Sequence, residues 1–248
     1  MVKEILTLNT TAKNLGLGVV SKQVCDAFGF KFSPGYGSGS VFDKISLGST
    51  LVLGNHPGVI DALVLFGCLT FRKDVNAIGA EDTIKPMSLL FPNIGRKLIP
   101  IYTTPGIRAV DGLIATAERI LKIKHSRAER IAITDNGFDR AATLLQQQEM
   151  VVFFPGRNLG GDTGVWQSGL ARLMQKIVEK DVSAKIVFAH IDNIPKHASL
   201  EWFLPLMRRK LIVNFVISST RTMSFKEKSR REIVGQLRRE YGECFPEY

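Results

Sequence analysis

Along the chain, short apolar runs alternate with longer stretches in which apolar residues recur at helical spacing. Ser49–Gly54, Val75–Ala80, Lys97–Tyr102, Met150–Phe154, Ala184–Ile191 and Leu211–Ile217 read as strands. Several are continuously apolar, as expected of strands covered on both faces. Between them the pattern predicts helices over Thr11–Ala27, Ile60–Phe71, Thr83–Leu90, Val110–Lys124, Phe138–Gln148, Ser168–Lys180 and Lys226–Tyr241. Phe30–Asp43, rich in Gly and Ser, reads as a loop. Its Gly35-Tyr36-Gly37-Ser38-Gly39 lacks the third glycine of a dinucleotide-binding turn. The alternation predicts an α/β fold, a mixed, mainly parallel sheet flanked by helices in a single domain.

With 248 residues, 45% of them hydrophobic, the chain can bury a substantial core. There is no long linker and no internal repeat. We divide it into an N-terminal helical and loop segment, residues 1–44, and a main domain, residues 45–248. Cys25, Cys68 and Cys244 are odd in number and far apart, which argues against a disulfide framework or zinc knuckle and for a reducing compartment. The N-terminus lacks the apolar core of a signal peptide. The longest nearly apolar run, Ala62–Phe71, falls short of the ~20 residues of a spanning helix, so no transmembrane helix is expected.

The net charge of +10 is unevenly placed: Met207–Glu240 holds ten Lys/Arg against three Glu. Such a segment suits a phosphate-rich surface or an acidic carrier protein; a solvated basic face is the plain alternative. Nucleic acid is not the expected partner, because aromatic interleaving, helix-turn-helix spacing and a zinc motif are all missing.

The chemistry concentrates in Leu53-Gly54-Asn55-His56-Pro57-Gly58-Val59-Ile60-Asp61, where an apolar strand breaks into a polar turn and then an apolar helix. On a regular helix His56 and Asp61 would point about 140° apart; a bend at Pro57-Gly58 can bring them together. A carboxylate on the imidazole Nδ1–H fixes the tautomer, leaves Nε2 as a base and stabilises the imidazolium. An acceptor hydroxyl needs such a base to attack a thioester. The plain alternative is that His56 caps a turn and Asp61 a helix.

Asn55-His56-Pro57-Gly58-Val59-Ile60-Asp61 resembles the NHxxxxD block of the glycerol-3-phosphate and lysophosphatidic acid acyltransferases. Gly95-Arg96-Lys97-Leu98-Ile99-Pro100-Ile101 is similar to the family's second block. Val151-Val152-Phe153-Phe154-Pro155-Gly156-Arg157 is similar to the third, Trp166–Leu173 to the segment after it, and Ala184–Ile191 to the fourth block's strand. The resemblance covers roughly residues 45 to 240. It implies a peripheral enzyme on the cytoplasmic side of a membrane, moving a fatty acyl group onto the hydroxyl of a lysophospholipid. His56 would be the general base and Asp61 its orienting partner. Asn55, Gly58, Arg96, Pro155, Gly156 and Arg157 would be the substrate-binding residues, Arg157 on the acceptor's phosphate. A surface-turn role for Arg157 is the alternative. No cofactor is implied; the donor is acyl-CoA or an acylated carrier protein.

The sequence departs from the family at Phe154-Pro155-Gly156-Arg157-Asn158, which is shorter than the usual third block and lacks its glutamate. Tyr102-Thr103-Thr104 stands where the second block normally closes with an arginine, so Arg96 and Arg108 are the candidate substitutes. The stretch between these blocks is longer by about one helix. These departures leave open a different lysolipid, an amino-lipid or a glycolipid acceptor, or a non-catalytic lipid-binding protein. His190 and Asp192 could join His56 and Asp61 around a divalent metal and make a hydrolase, but no HExxH or HxH occurs. No GxSxG elbow or Walker loop is present either. For membrane docking, the Trp202–Lys210 run sets aromatic and aliphatic groups beside three cations and suits an anionic surface. The N-terminal stretch with Leu15, Leu17, Val19, Val20, Val24 and Phe28 is either interfacial or a core helix, and Gly16 and Gly18 weaken it as a helix.

Overall fold

The structure, a computed structural model, describes residues 2–55, 61–102, 125–156, 168–192 and 210–246. Two helices, α1 (Val2–Leu15) and α2 (Leu17–Ala27), precede strand β1 (Lys31–Pro34) and helix α3 (Ser38–Ile45). Then follow β2 (Thr50–Gly54), α4 (Asp61–Cys68), β3 (Val75–Ala80), α5 (Glu81–Leu90), the short α6 (Pro92–Gly95) and β4 (Leu98–Ile101). The rest comprises α7 (Arg127–Gln146), β5 (Met150–Phe153), α8 (Ser168–Glu179), β6 (Lys185–Asp192), β7 (Lys210–Arg221), a 3-10 turn at Thr222–Phe225 and α9 (Arg230–Cys244).

The seven strands form one sheet in the order β1-β7-β6-β2-β5-β3-β4. The five from β6 to β4 are mutually parallel; β7 runs antiparallel to β6, and β1 runs parallel to β7. Side chains alternate between two cores. Leu51, Leu53, Val151, Phe153, Ile186 and Phe188 face α7, α8 and α9. Val52, Met150, Val152, Val187 and Ala189 face α4 and α2. Burial on both sides explains the continuously apolar strands, each large side chain contributing about 1.5–3 kcal/mol. The chain is a single α/β domain with a mixed, mainly parallel sheet, as the sequence predicts.

Several elements differ from the sequence expectation. The expected helix Thr11–Ala27 is two helices, broken where Gly16 adopts φ 88°. A Cβ there would lie 2.7 Å from the Lys73 carbonyl oxygen, and one at Gly18 would lie 2.7 Å from that of Leu69. These glycines therefore let α2 seat closely on the α4 end of the chain. Leu17 and Val20 are buried, whereas Leu15 and Phe28 are exposed. The expected loop Phe30–Asp43 contains β1 and most of α3, so the boundary drawn after residue 44 falls inside a helix. Pairing with β7 holds β1 in place, and the Phe32 ring fills the space left by Gly67. Helix α7 begins at Arg127, well before Phe138, because Ser126 and Glu129 form a capping box. A second box, Ser229 with Glu232, starts α9 at Arg230 instead of Lys226. Strand β7 runs on to Arg221. The expected helix Val110–Lys124 lies outside the described residues. Among the described residues, no helix is long and apolar enough to cross a membrane.

Candidate functional site

Parallel strands β2 and β5 are neighbours, yet the helices that follow them leave to opposite faces. Helix α4 joins the core on one side and α8 the core on the other. In open α/β sheets, the crevice beyond the carboxyl ends of two such strands is where ligands bind. Here it is flanked by Asn55 after β2 and by Pro155 and Gly156 after β5.

Local packing explains the approach to this point. A Cβ at Gly54 would lie 2.8 Å from Cε1 of Phe154, so the glycine admits that ring at the strand ends. Asn55, 5% exposed, is clamped to β6: its N–H donates to Ala189 O (3.2 Å) and its Oδ1 accepts from Ile191 N–H (2.9 Å). Its Nδ2 donates to Ile191 O at 3.4 Å. Pro155 is buried, and a Cβ on Gly156 would meet nothing within 4 Å.

Asp61 is the first residue of α4; its side chain, with His56, Gly58 and Arg157, lies outside the described residues. Arg108, Trp166, Gln167, His197 and 202–209 of the basic aromatic run also lie outside them; Lys210 opens β7. Arg96 is not brought to this place. It precedes β4, at the edge where the parallel strands begin, and its carbonyl accepts from Arg140 there.

Beside Asn55 the end of β6 carries a buried polar group that motif reading only partly finds. His190 Nδ1 lies 2.7 Å from the Tyr241 hydroxyl, and Nε2 lies 3.1 Å from Asp192 Oδ1. Asn214 Nδ2 donates to Asp192 Oδ2 at 2.7 Å. Burial depresses the His190 pKa, opposed by the Asp192 charge, so the ring is held toward neutrality. Burial likewise raises Tyr241, so its hydroxyl stays protonated. Tyr241 and Asn214 reach the group through tertiary packing alone; no local pattern announces them.

The same edge carries further polar side chains. Arg130 stacks on Tyr102, 4.7 Å from the ring centroid. Arg172, at the start of α8, pairs with Asp135 on α7. Glu81 lies between Lys85 and His125. Among the described residues, no group of three His, Cys, Asp or Glu could hold a metal ion. Burial pushes the Cys25 thiol up to about 11 and Cys68 to about 12, which keeps both protonated. Compared with known proteins, the chain matches no protein-family model and no curated protein.

Proposed function

We propose that this protein is an O-acyltransferase that moves a fatty acyl group from a thioester, acyl-CoA or an acylated carrier protein, to the hydroxyl of a lysophospholipid. The observation that carries the reading is the clamp on Asn55. A buried side chain fixes the end of β2 at the sheet's crevice, and the NHxxxxD segment continues from that residue. His56 follows within one peptide unit, about 3.8 Å between Cα atoms, and Asp61 opens the next helix.

In this mechanism, His56 takes the proton as the acceptor oxygen attacks the thioester carbonyl. Asp61 stabilises the imidazolium. The tetrahedral intermediate collapses, the C–S bond breaks, and the leaving thiolate takes the proton back from His56, which restores the base. No cofactor enters the balance. Long-chain substrates and the basic Met207–Glu240 segment support action at an anionic membrane surface. Arg96 lies at the far edge, and Arg157, next after Gly156 in sequence, is the residue we assign to the acceptor phosphate from the resemblance of its block. An amino-lipid or glycolipid acceptor is the second reading, favoured by the short Phe154-Pro155-Gly156-Arg157 turn.

The test is incubation of purified protein with labelled acyl thioesters and a panel of lysolipids on anionic vesicles. Transfer should occur, and His56→Ala should reduce it by about 10²–10⁴-fold while the fold persists. Arg157→Ala should raise KM for phosphate-bearing acceptors alone. No transfer to any acceptor, or full activity in His56→Ala, would overturn the reading.

A further inference from the structure

We propose that His190 is a positioning residue, held between Tyr241 and Asp192 so that the end of β6 keeps Asn55, the residue before His56 in sequence, in one place. This rests on the acyltransferase reading for what is positioned, but its geometry stands apart from it. The two neighbours of His190 in sequence hold Asn55: Ala189 O takes its backbone N–H, and Ile191 exchanges two hydrogen bonds with its side chain. The Tyr241 hydroxyl lies 2.7 Å from His190 Nδ1 and 3.4 Å from Ala189 O, the carbonyl that Asn55 uses. One network thus ties α9, β7, β6 and β2 together at the crevice.

The Tyr241 hydroxyl has one proton to give; donated to Nδ1 at 2.7 Å, it leaves the ring proton on Nε2, which lies 3.1 Å from Asp192 Oδ1 without the alignment of a hydrogen bond. Asn214 donates to the other carboxylate oxygen. His190 is 5% exposed and packs against Phe245, with ring centroids 5.2 Å apart. Such a buried ring is a locating pin, not a base presented to substrate. Its effect on chemistry is indirect, through the placement of Asn55, and small displacements of a reacting group are costly.

Three variants test this: Tyr241→Phe, which removes one hydroxyl and keeps the packing; His190→Phe; and the conservative His190→Gln. Folding is followed by thermal melting, the His56 ring by its NMR signals (assigned with His56→Ala), and catalysis by acyl transfer. Folded Tyr241→Phe and His190→Phe should shift the His56 ring signals and lower kcat about 10- to 100-fold, with both KM values within about twofold. His190→Gln should recover part of the loss. Unchanged His56 signals in the folded variants, or unchanged kcat beside active wild-type protein, would overturn the proposal. If wild-type protein transfers no acyl group, the functional reading falls, and the ring signals alone decide the positioning role.

Discussion

At the edge where the parallel strands begin, Arg72 uses all five of its N–H groups: two on Asp74, and one each on the carbonyls of Ile45, Gly48 and Gln148. Asn76 donates to Glu149 nearby, and Thr222 bridges Val182 and Ala184. At the edge where the same strands end, three buried atoms, His125 Nε2, Asp135 Oδ1 and Asp192 Oδ1, have no hydrogen bond among the described residues. Glu81 and His190 approach the first and third at 3.1 Å, out of line for one. Buried polar groups are normally satisfied, and exceptions gather where a protein has work other than stability. Among the described residues, the beginning edge is fully paired at Arg72, and the ending edge holds buried polar atoms without a hydrogen bond.

The largest expected effect lies at the closed edge. Arg72→Ala leaves Asp74 and three carbonyls without their donor and should destabilise by about 3–5 kcal/mol, read as a lower urea midpoint. Acyl transfer per folded molecule should not change. Thr222→Val should follow at about 1–3 kcal/mol, since it strands the Ala184 N–H and the Val182 carbonyl. Asp135→Asn tests the open edge. Its pair with Arg172 is about one-third exposed, so the stability cost should stay below about 1 kcal/mol. Acyl transfer should nevertheless fall more than in Thr222→Val. If Asp135→Asn proves more destabilising than Arg72→Ala, the contrast between the edges is wrong.

That contrast was only half legible in the sequence. Strands such as Thr50–Gly54 and Met150–Phe153 declare themselves because both faces are buried. The first half of α7 does not, because Arg127–Asn136 is largely solvated, its Ile131 and Ala132 exposed; the signal that could have found it is Ser126 with Glu129. The polar, glycine-bearing β1–α3 stretch owes its order to β7 and Phe32 packing, both distant in sequence. The NHxxxxD segment is readable because it is contiguous. The location of Arg96 is not, because motif order carries no strand order: β5 inserts between β2 and β3, and only topology shows that Arg96 and Asn55 sit at opposite edges. Tyr241 and Asn214 are invisible for the same reason.

The smallest effect vanishes at neutral pH and appears only on acidification. His190 has a folded-state pKa below its ordinary 6.5, because burial outweighs the attraction of Asp192. The unfolded chain therefore takes up this proton first as pH falls. The stability contributed by the neutral ring is fully present above about pH 6.5 and is lost as pH drops toward the folded value. The groups that face the ring are Asp192 on its own strand, Tyr241 on α9, and the non-titrating Phe245 and Asn214, while Cys244 acts on Tyr241. Tyr241 and Cys244, both raised by burial first of all, stay protonated throughout this range. Glu240 is lowered because hydrogen bonds from Ser218, Thr220 and Gln236 overcome its burial, so its contribution is lost only below the ordinary carboxylate value of 4.5. Between about pH 6.5 and 4.5, His190 should contribute a fall in stability of at most one proton in slope, and His190→Phe should remove that contribution. An equal slope in both proteins would mean that the end of β6 feels no protonation, and that His190 is held no more tightly than an apolar side chain in its place.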